Sequence, residues 1–183
     1  MNVTWEEGKL HIACGAKYLD GWINSDVVPT PVVQGMVGHP DVVLDISHDL
    51  STIPDDTLTW IYWSHGVEHL PPNLLPGILG QLHRVLAPTG RLTLATTDLW
   101  KIVTRRFPDN NWEGPLFGHR YSTDSPWLSH LDCFTTEKLT RLLRNAGFEV
   151  VRPWKLEDYA EIRALNDYAF THADVTLYLE AVK

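Results

Sequence analysis

The chain has 183 residues, enough for one domain with a single sizeable core and too few for two ordinary ones. A formal net charge of −8 opposes electrostatic capture of polyphosphate and so disfavours nucleic acid as a partner. Two cysteines, Cys14 and Cys133, make neither a disulfide framework nor a thiolate metal cage. No apolar run is long enough to span a membrane, and the opening MNVTWEEGK has no signal-peptide core, so one cytoplasmic domain over 1–183 is expected, with no membrane partner.

In chain order, Leu10, Ile12 and Cys14 form a short apolar run that stops at Gly15, and a second run at Trp22–Ile23 ends on Asp26. The pattern predicts strand, glycine turn, strand, acid. Residues 27–40 hold three prolines and two glycines and read as an irregular connection. A third strand is predicted over 41–46, with Asp45 and Asp49 at or just beyond its end, and LTWIYWS, residues 58–64, reads as a fully buried strand. Leu75, Ile78, Leu79, Leu82 and Leu86 share one helical face, and Pro88-Thr89-Gly90 is read as the stop of that helix.

A strand is then predicted over 91–97, ending at Asp98. Residues 99–134 show no clear period and are too long for an ordinary connection. The clearest helix is 135–146, with Thr135 as N-cap, Glu137 in its first turn and Gly147 as its stop. A strand over 148–154, a possible helix within 156–170 and an alternating strand over 175–182 complete the chain. Alternating strands and helices point to a three-layer α/β fold with a mainly parallel sheet.

A glycine at the carboxyl end of a parallel strand lets backbone N–H groups approach a ligand, and an acid closing the next strand can accept from both hydroxyls of a ribose. Gly15 and Asp26 therefore suggest an adenosine-containing cofactor. The step between them is 11 residues, short of the roughly 20 of a dinucleotide fingerprint, so a tight turn and an ordinary surface acid stays open as the other reading.

The strings LHIACG with GWINSD, DLSTIPDDTLTWIYWSHGVEHL, RVLAPTGRLTLATTD, FTTEKLTRLLRNAGFEVV and VTLYLEAVK, in this order, resemble the class I S-adenosylmethionine-dependent methyltransferases, in particular a small bacterial type. The resemblance implies a Rossmann-like sheet of seven strands in the order 3-2-1-4-5-7-6, the last antiparallel, with S-adenosyl-L-methionine across the carboxyl ends of strands one to four. It implies that Ala13, Cys14 and Gly15 face the methionine part, that Asp26 holds the ribose, that Asp49 and the Leu50 N–H meet adenine, and that Ser64 and His65 lie beside the sulfonium. Asp45 is a rival to Asp49. Ala13 stands where the family usually has a glycine, and Thr89 replaces another.

His65-Gly66-Val67-Glu68-His69 also matches the H-x-x-E-H pattern of inverzincin metallopeptidases, but Gly66 and Pro71-Pro72 break the helix that pattern needs, and no metal is expected. Glu68 and His69 are read as structural partners at the strand end. If the methyl acceptor is a hydroxyl, a base is needed; His65, Asp98 and His130 are the candidates, with His119 a fourth.

The 99–134 stretch is read as an insertion covering the acceptor, its Trp100, Trp112, Phe117, Tyr121 and Trp127 serving either as a pocket or as anchors to the core. The expected acceptor is a small or medium metabolite, with O-methylation of a sugar or polysaccharide precursor favoured. The alternatives are a cofactor-binding protein without turnover and a zinc hydrolase using His65, Glu68 and His69.

Overall fold

The computed structural model describes residues 4–6, 8–33, 35–118 and 129–183. Seven strands form one sheet: β1 (Lys9–Ile12), β2 (Ile23–Asp26), β5 (Val42–Val43), β6 (Leu58–Ser64), β7 (Leu86–Thr97), β8 (Val150–Pro153) and β9 (Thr176–Val182). Their spatial order is β5-β2-β1-β6-β7-β9-β8, which is 3-2-1-4-5-7-6 when only these seven are counted. The pairs from β5 to β7 are parallel, and β9 runs antiparallel to both β7 and β8.

The buried run at residues 58–64 explains the centre of the sheet. Ile61 and Trp63 join the core beneath α1 (Leu75–Val85) and α4 (Thr136–Asn145), where Leu79, Leu82, Leu139 and Leu143 are completely buried. Trp60 and Tyr62 point into a second, aromatic core with Trp22, Trp154, Ile162 and Leu165 on the face carrying α5 (Ala160–Leu165) and α6 (Tyr168–Thr171). Burying so much indole and phenol requires partners for their polar atoms. Trp60 Nε1 donates to Thr93 Oγ1 (2.9 Å), Trp154 Nε1 to the Leu94 carbonyl (3.0 Å), and the Tyr62 hydroxyl to Asp167 Oδ2 (2.6 Å).

Several elements differ from expectation. Residues 27–40 contain an antiparallel hairpin, β3 (Val32–Val33) with β4 (Met36–Val37), and the third strand of the sheet is only Val42–Val43. α1 ends at Val85, three residues before Pro88, and β7 starts at once, with a register shift against β6 between Leu58 and Trp60. The strain falls on Thr89, whose φ of 65° is one that a β-branched side chain resists, so its replacement of glycine has a conformational cost.

Within the supposedly aperiodic stretch lie α2 (Leu99–Arg105) and α3 (Glu113–Phe117). Only Ile102 of α2 is buried, so no apolar stripe marks it in the sequence. α4 follows its caps closely: Thr135 Oγ1 accepts from Lys138 N–H, and Gly147 adopts φ 108°.

Candidate active site

The carboxyl ends of β1, β2, β6 and β7 converge on one edge, and the turn after β1 is the tightest part of it. Ala13 and Gly15 both adopt φ 56°; Ala13 is exposed, whereas Cys14 and Gly15 are buried. Asp26 holds this turn from the neighbouring strand, its Oδ2 accepting from Gly15 N–H (3.0 Å) and its Oδ1 from Val28 N–H (3.2 Å). A carboxylate has about four lone-pair sites, so two remain open to further donors. Burial, followed by the nearby charge of Asp26, pushes the Cys14 thiol up to about 12, which keeps it protonated and unreactive.

The short crossover works because Asn24 staples it. Its amide accepts from Leu19 N–H (2.8 Å) and donates to the Leu19 and Trp22 carbonyls (both 3.2 Å) and to Asp41 (3.0 Å). His11 Nδ1 lies 3.2 Å from the same Asn24 oxygen, and burial lowers the His11 pKa to about 4. Sequence reading overlooked Asn24; its place in the middle of β2, where a polar side chain must find partners, was the available signal.

Beyond the third strand of the sheet, Asp49 and Leu50 begin a turn of 3₁₀ helix over Asp49–Thr52, and Leu50 is buried. The rival Asp45 is occupied locally, accepting from Ser47 N–H (2.9 Å) and Ser47 Oγ (2.5 Å) and lying 3.1 Å from His48 Nδ1. Burial opposes ionisation there, but the bonds from Ser47 prevail and its pKa is lowered.

At the end of β6 Ser64 is buried, and Thr97 at the end of β7 is buried with no hydrogen-bond partner for its hydroxyl among the described residues. Gly66 must be glycine, because a Cβ there would stand 2.3 Å from Trp63 Nε1 and 3.1 Å from Ala13 Cβ. The turn over Val67–His69 is 3₁₀, not the helix a zinc peptidase needs to present His65 and His69 together.

His65 does not face open solvent. Its Nδ1 lies 2.9 Å from Glu68 Oε1 and its Nε2 3.1 Å from Thr176 Oγ1. Glu68 is completely buried, and its Oε2 accepts from Thr96 Oγ1 (2.9 Å). Burial alone would raise its pKa, but the histidines around it, His65 foremost, bring it down to about 2. Asp98 caps α2, accepting from Trp100 N–H (2.9 Å) and Lys101 N–H (3.2 Å).

His130 is brought to the same place by the return of the chain at Ser129–Asp132. Its N–H donates to the Phe117 carbonyl (3.0 Å), Leu131 and Asp132 N–H both donate to the Glu68 carbonyl (2.7 and 3.2 Å), and His69 Nδ1 meets the Ser129 carbonyl (3.1 Å). The His69 and His130 rings stand edge to face, 4.9 Å between centroids, and burial lowers the His130 pKa. The cover's rings pack on one another: Phe107 stacks on Trp112 at 4.7 Å, and Trp112 meets Phe117 at 5.9 Å. Trp100 is exposed. His119, Tyr121 and Trp127 lie outside the described residues. Two clefts, one lined by Thr59 and residues 87–91 and the other by Glu6, Asp56, Thr57, Thr59 and Ala87, lie at the opposite, amino-terminal edge of β6 and β7 and carry none of these groups.

A left-handed glycine turn and an acid on the next strand, at the carboxyl edge of a mainly parallel sheet in the order 3-2-1-4-5-7-6, are the features of a Rossmann-like α/β fold. Residues 14–152 match a family model described as a methyltransferase domain, and the chain belongs to that family, whose cofactor is S-adenosyl-L-methionine. Among solved structures, it is similar to an S-adenosylmethionine-dependent methyltransferase of Archaeoglobus fulgidus (16% identity, 97% of this chain and 86% of that one, TM-score 0.57). It is also similar to one from Mesorhizobium loti (16% identity, 98% and 92%, TM-score 0.54). A third neighbour is the phosphoethanolamine N-methyltransferase 2 of Haemonchus contortus in complex with S-adenosyl-L-methionine (10% identity, 100% and 50%, TM-score 0.52). No curated protein sequence matches the chain. Among the described residues no helix is long and apolar enough to cross a membrane.

Proposed function

We propose that the chain methylates a hydroxyl of a small or medium-sized metabolite, a sugar or polysaccharide precursor, in the cytoplasm. The observation that supports this reading best is the place of His130 beside Glu68 and His69, because its Nδ1, without a hydrogen-bond partner among the described residues and next to a carboxylate, suits a substrate that must lose a proton. S-adenosyl-L-methionine supplies an already activated methyl, so the chain's own residues mainly bind and orient.

In this reading Asp26 takes the ribose hydroxyls with the lone pairs that Gly15 and Val28 leave free. Ala13, Cys14 and Gly15 border the methionine part, Asp49 and the Leu50 N–H meet adenine, and Ser64 and His65 flank the reacting end. Phe107, Trp112 and Phe117 offer the apolar face on which a sugar ring stacks. His65 and Asp98 orient neighbouring groups rather than take protons, since both are engaged within the protein. The acidic net charge supports a small molecule over nucleic acid.

Those same engagements, with Ala13 in a left-handed conformation that glycine would adopt freely, favour a second reading, a cofactor-binding protein without turnover. Methyl transfer from labelled cofactor to a panel of sugars, nucleotide sugars, phenols and amines separates the two. An O-methylated product is expected; exclusive N-methylation would overturn the hydroxyl assignment, and tight product-cofactor binding with no turnover would establish the second reading.

A further inference from the structure

Glu68, His69 and His130 come from two distant parts of the chain, and one ligand atom from each lies within 4.8 Å of the others. We infer that these three side chains form a binding site for a divalent first-row transition cation of the zinc class. Two imidazoles and one carboxylate are the donor set such cations take, and three protein ligands leave a position open for water or a substrate oxygen.

The hydrogen bonds around the cluster prepare each ligand for that role. His69 spends Nδ1 on the Ser129 carbonyl, which puts its proton there and leaves Nε2 with a lone pair. His130 Nδ1 is buried and has no hydrogen-bond partner among the described residues. With no acceptor beside it, Nδ1 keeps its lone pair when the neutral ring carries its proton on Nε2. Glu68 is oriented by His65 on one oxygen and Thr96 on the other, the outer hydrogen bonds that ligating carboxylates use. A buried nitrogen without a partner is costly unless something occupies it, and a cation would.

The geometry needs only a small closure. Metal–ligand bonds of about 2.0–2.2 Å in tetrahedral arrangement put ligand atoms about 3.4 Å apart, so no separation has to shrink by more than about 1.4 Å. The cation would tie the Ser129–Asp132 return to the turn after β6, where two backbone bonds to the Glu68 carbonyl already hold it. Its catalytic use, polarising an acceptor hydroxyl at the open position, rests on the methyl-transfer reading; its binding does not.

The test is metal binding by the full chain without any acceptor. Zn²⁺ titrated calorimetrically into the metal-stripped protein should bind at one equivalent, and Co²⁺ should give the visible absorption of a four- or five-coordinate site. His130→Ala and His69→Ala should each weaken Zn²⁺ at least tenfold and abolish the Co²⁺ spectrum. Both variants should still bind S-adenosylhomocysteine, which shows that they fold. Wild-type protein that takes up no stoichiometric Zn²⁺, or variants that retain its affinity, would overturn the site. Should one variant unfold, the other decides. Because product-cofactor affinity is measured separately, absence of methyl transfer leaves this result standing, and absence of the metal leaves the methyltransferase reading standing.

Discussion

Gly38 rests on Gly15: a Cβ added to Gly38 would stand 2.1 Å from the Gly15 carbonyl oxygen and 2.9 Å from its carbonyl carbon. The hairpin β3–β4 is thereby fastened over the turn after β1, helped by the bond from Gly38 N–H to the Pro31 carbonyl (2.7 Å) and by that between His39 N–H and the Tyr18 hydroxyl. Gly38→Ala must push backbone against backbone, which costs about 1–3 kcal/mol. Lower thermal stability together with weaker S-adenosylhomocysteine binding is expected. A variant with unchanged affinity would show that the hairpin is not part of the cofactor edge.

Asp26 is both a brace for the turn and the proposed ribose ligand. Asp26→Ala should weaken cofactor binding by about 1–3 kcal/mol, the loss of hydrogen bonds to a charged acceptor. Asp26→Asn keeps one acceptor oxygen and should fall between the two. Calorimetry on the folded variants reads the result, and equal affinities across all three would move the ribose contact elsewhere.

The pair Asp45 and Asp49 separates a turn residue from a ligand. Asp45 already satisfies Ser47 and His48, so Asp45→Ala should cost about 1 kcal/mol of stability and little affinity. Asp49→Ala should lower affinity and the preference for adenine over other purines. The opposite pattern in a competition assay would exchange their roles.

Burial sets a pH limit through His11. Its folded pKa of about 4 lies below the unfolded value of about 6.5, so the unfolded chain binds the extra proton between these values. The contribution of neutral His11 is complete above about pH 6.5 and is lost as pH falls through 4, about 3 kcal/mol in all, a figure that already contains the opposing hydrogen bond with Asn24 and the field of Asp167. Urea midpoints of the wild type and His11→Gln between pH 7 and 4 isolate it from the other lowered histidines, His83 and His130. The variant should lose less stability over this range; parallel curves would mean that His11 takes its proton without cost.

Much of the fold was legible because its signals are local. The apolar run at 58–64, the caps Thr135 and Gly147, and the alternation ending at Val182 each dictate one element whatever surrounds it. What escaped depends on contacts made across the chain. The hairpin of β3 and β4 is two short apolar pairs in a proline-rich segment, and α2 shows solvent two of its four apolar side chains, Trp100 and Val103. In the site, Gly15 and Asp26 announced their neighbourhood, since turn and acid sit on adjacent strands. The meeting of Glu68 with His130 spans 62 residues of chain order and a folded cover, and no spacing rule predicts it.

The cover itself gives the last prediction. Asp98 anchors α2 at the end of β7, Leu99 N–H bonds the Phe134 carbonyl (2.8 Å), and between these ends Trp112 is the ring that touches both Phe107 and Phe117. If this aromatic group receives the acceptor, Trp112→Ala should lower methyl transfer, chiefly through KM, because a stacking surface binds ground state and transition state alike. Product-cofactor affinity should stay within about 0.5 kcal/mol, as expected for a site apart from the cofactor. Trp112→Phe keeps a ring of smaller area and should restore most of the loss. Steady-state kinetics with the acceptor found in the substrate panel decides. If Trp112→Ala weakens the cofactor, the cover is a cofactor lid. If it unfolds the chain while Trp112→Phe does not, the rings are anchors for the insertion; normal turnover in both variants would place the acceptor elsewhere.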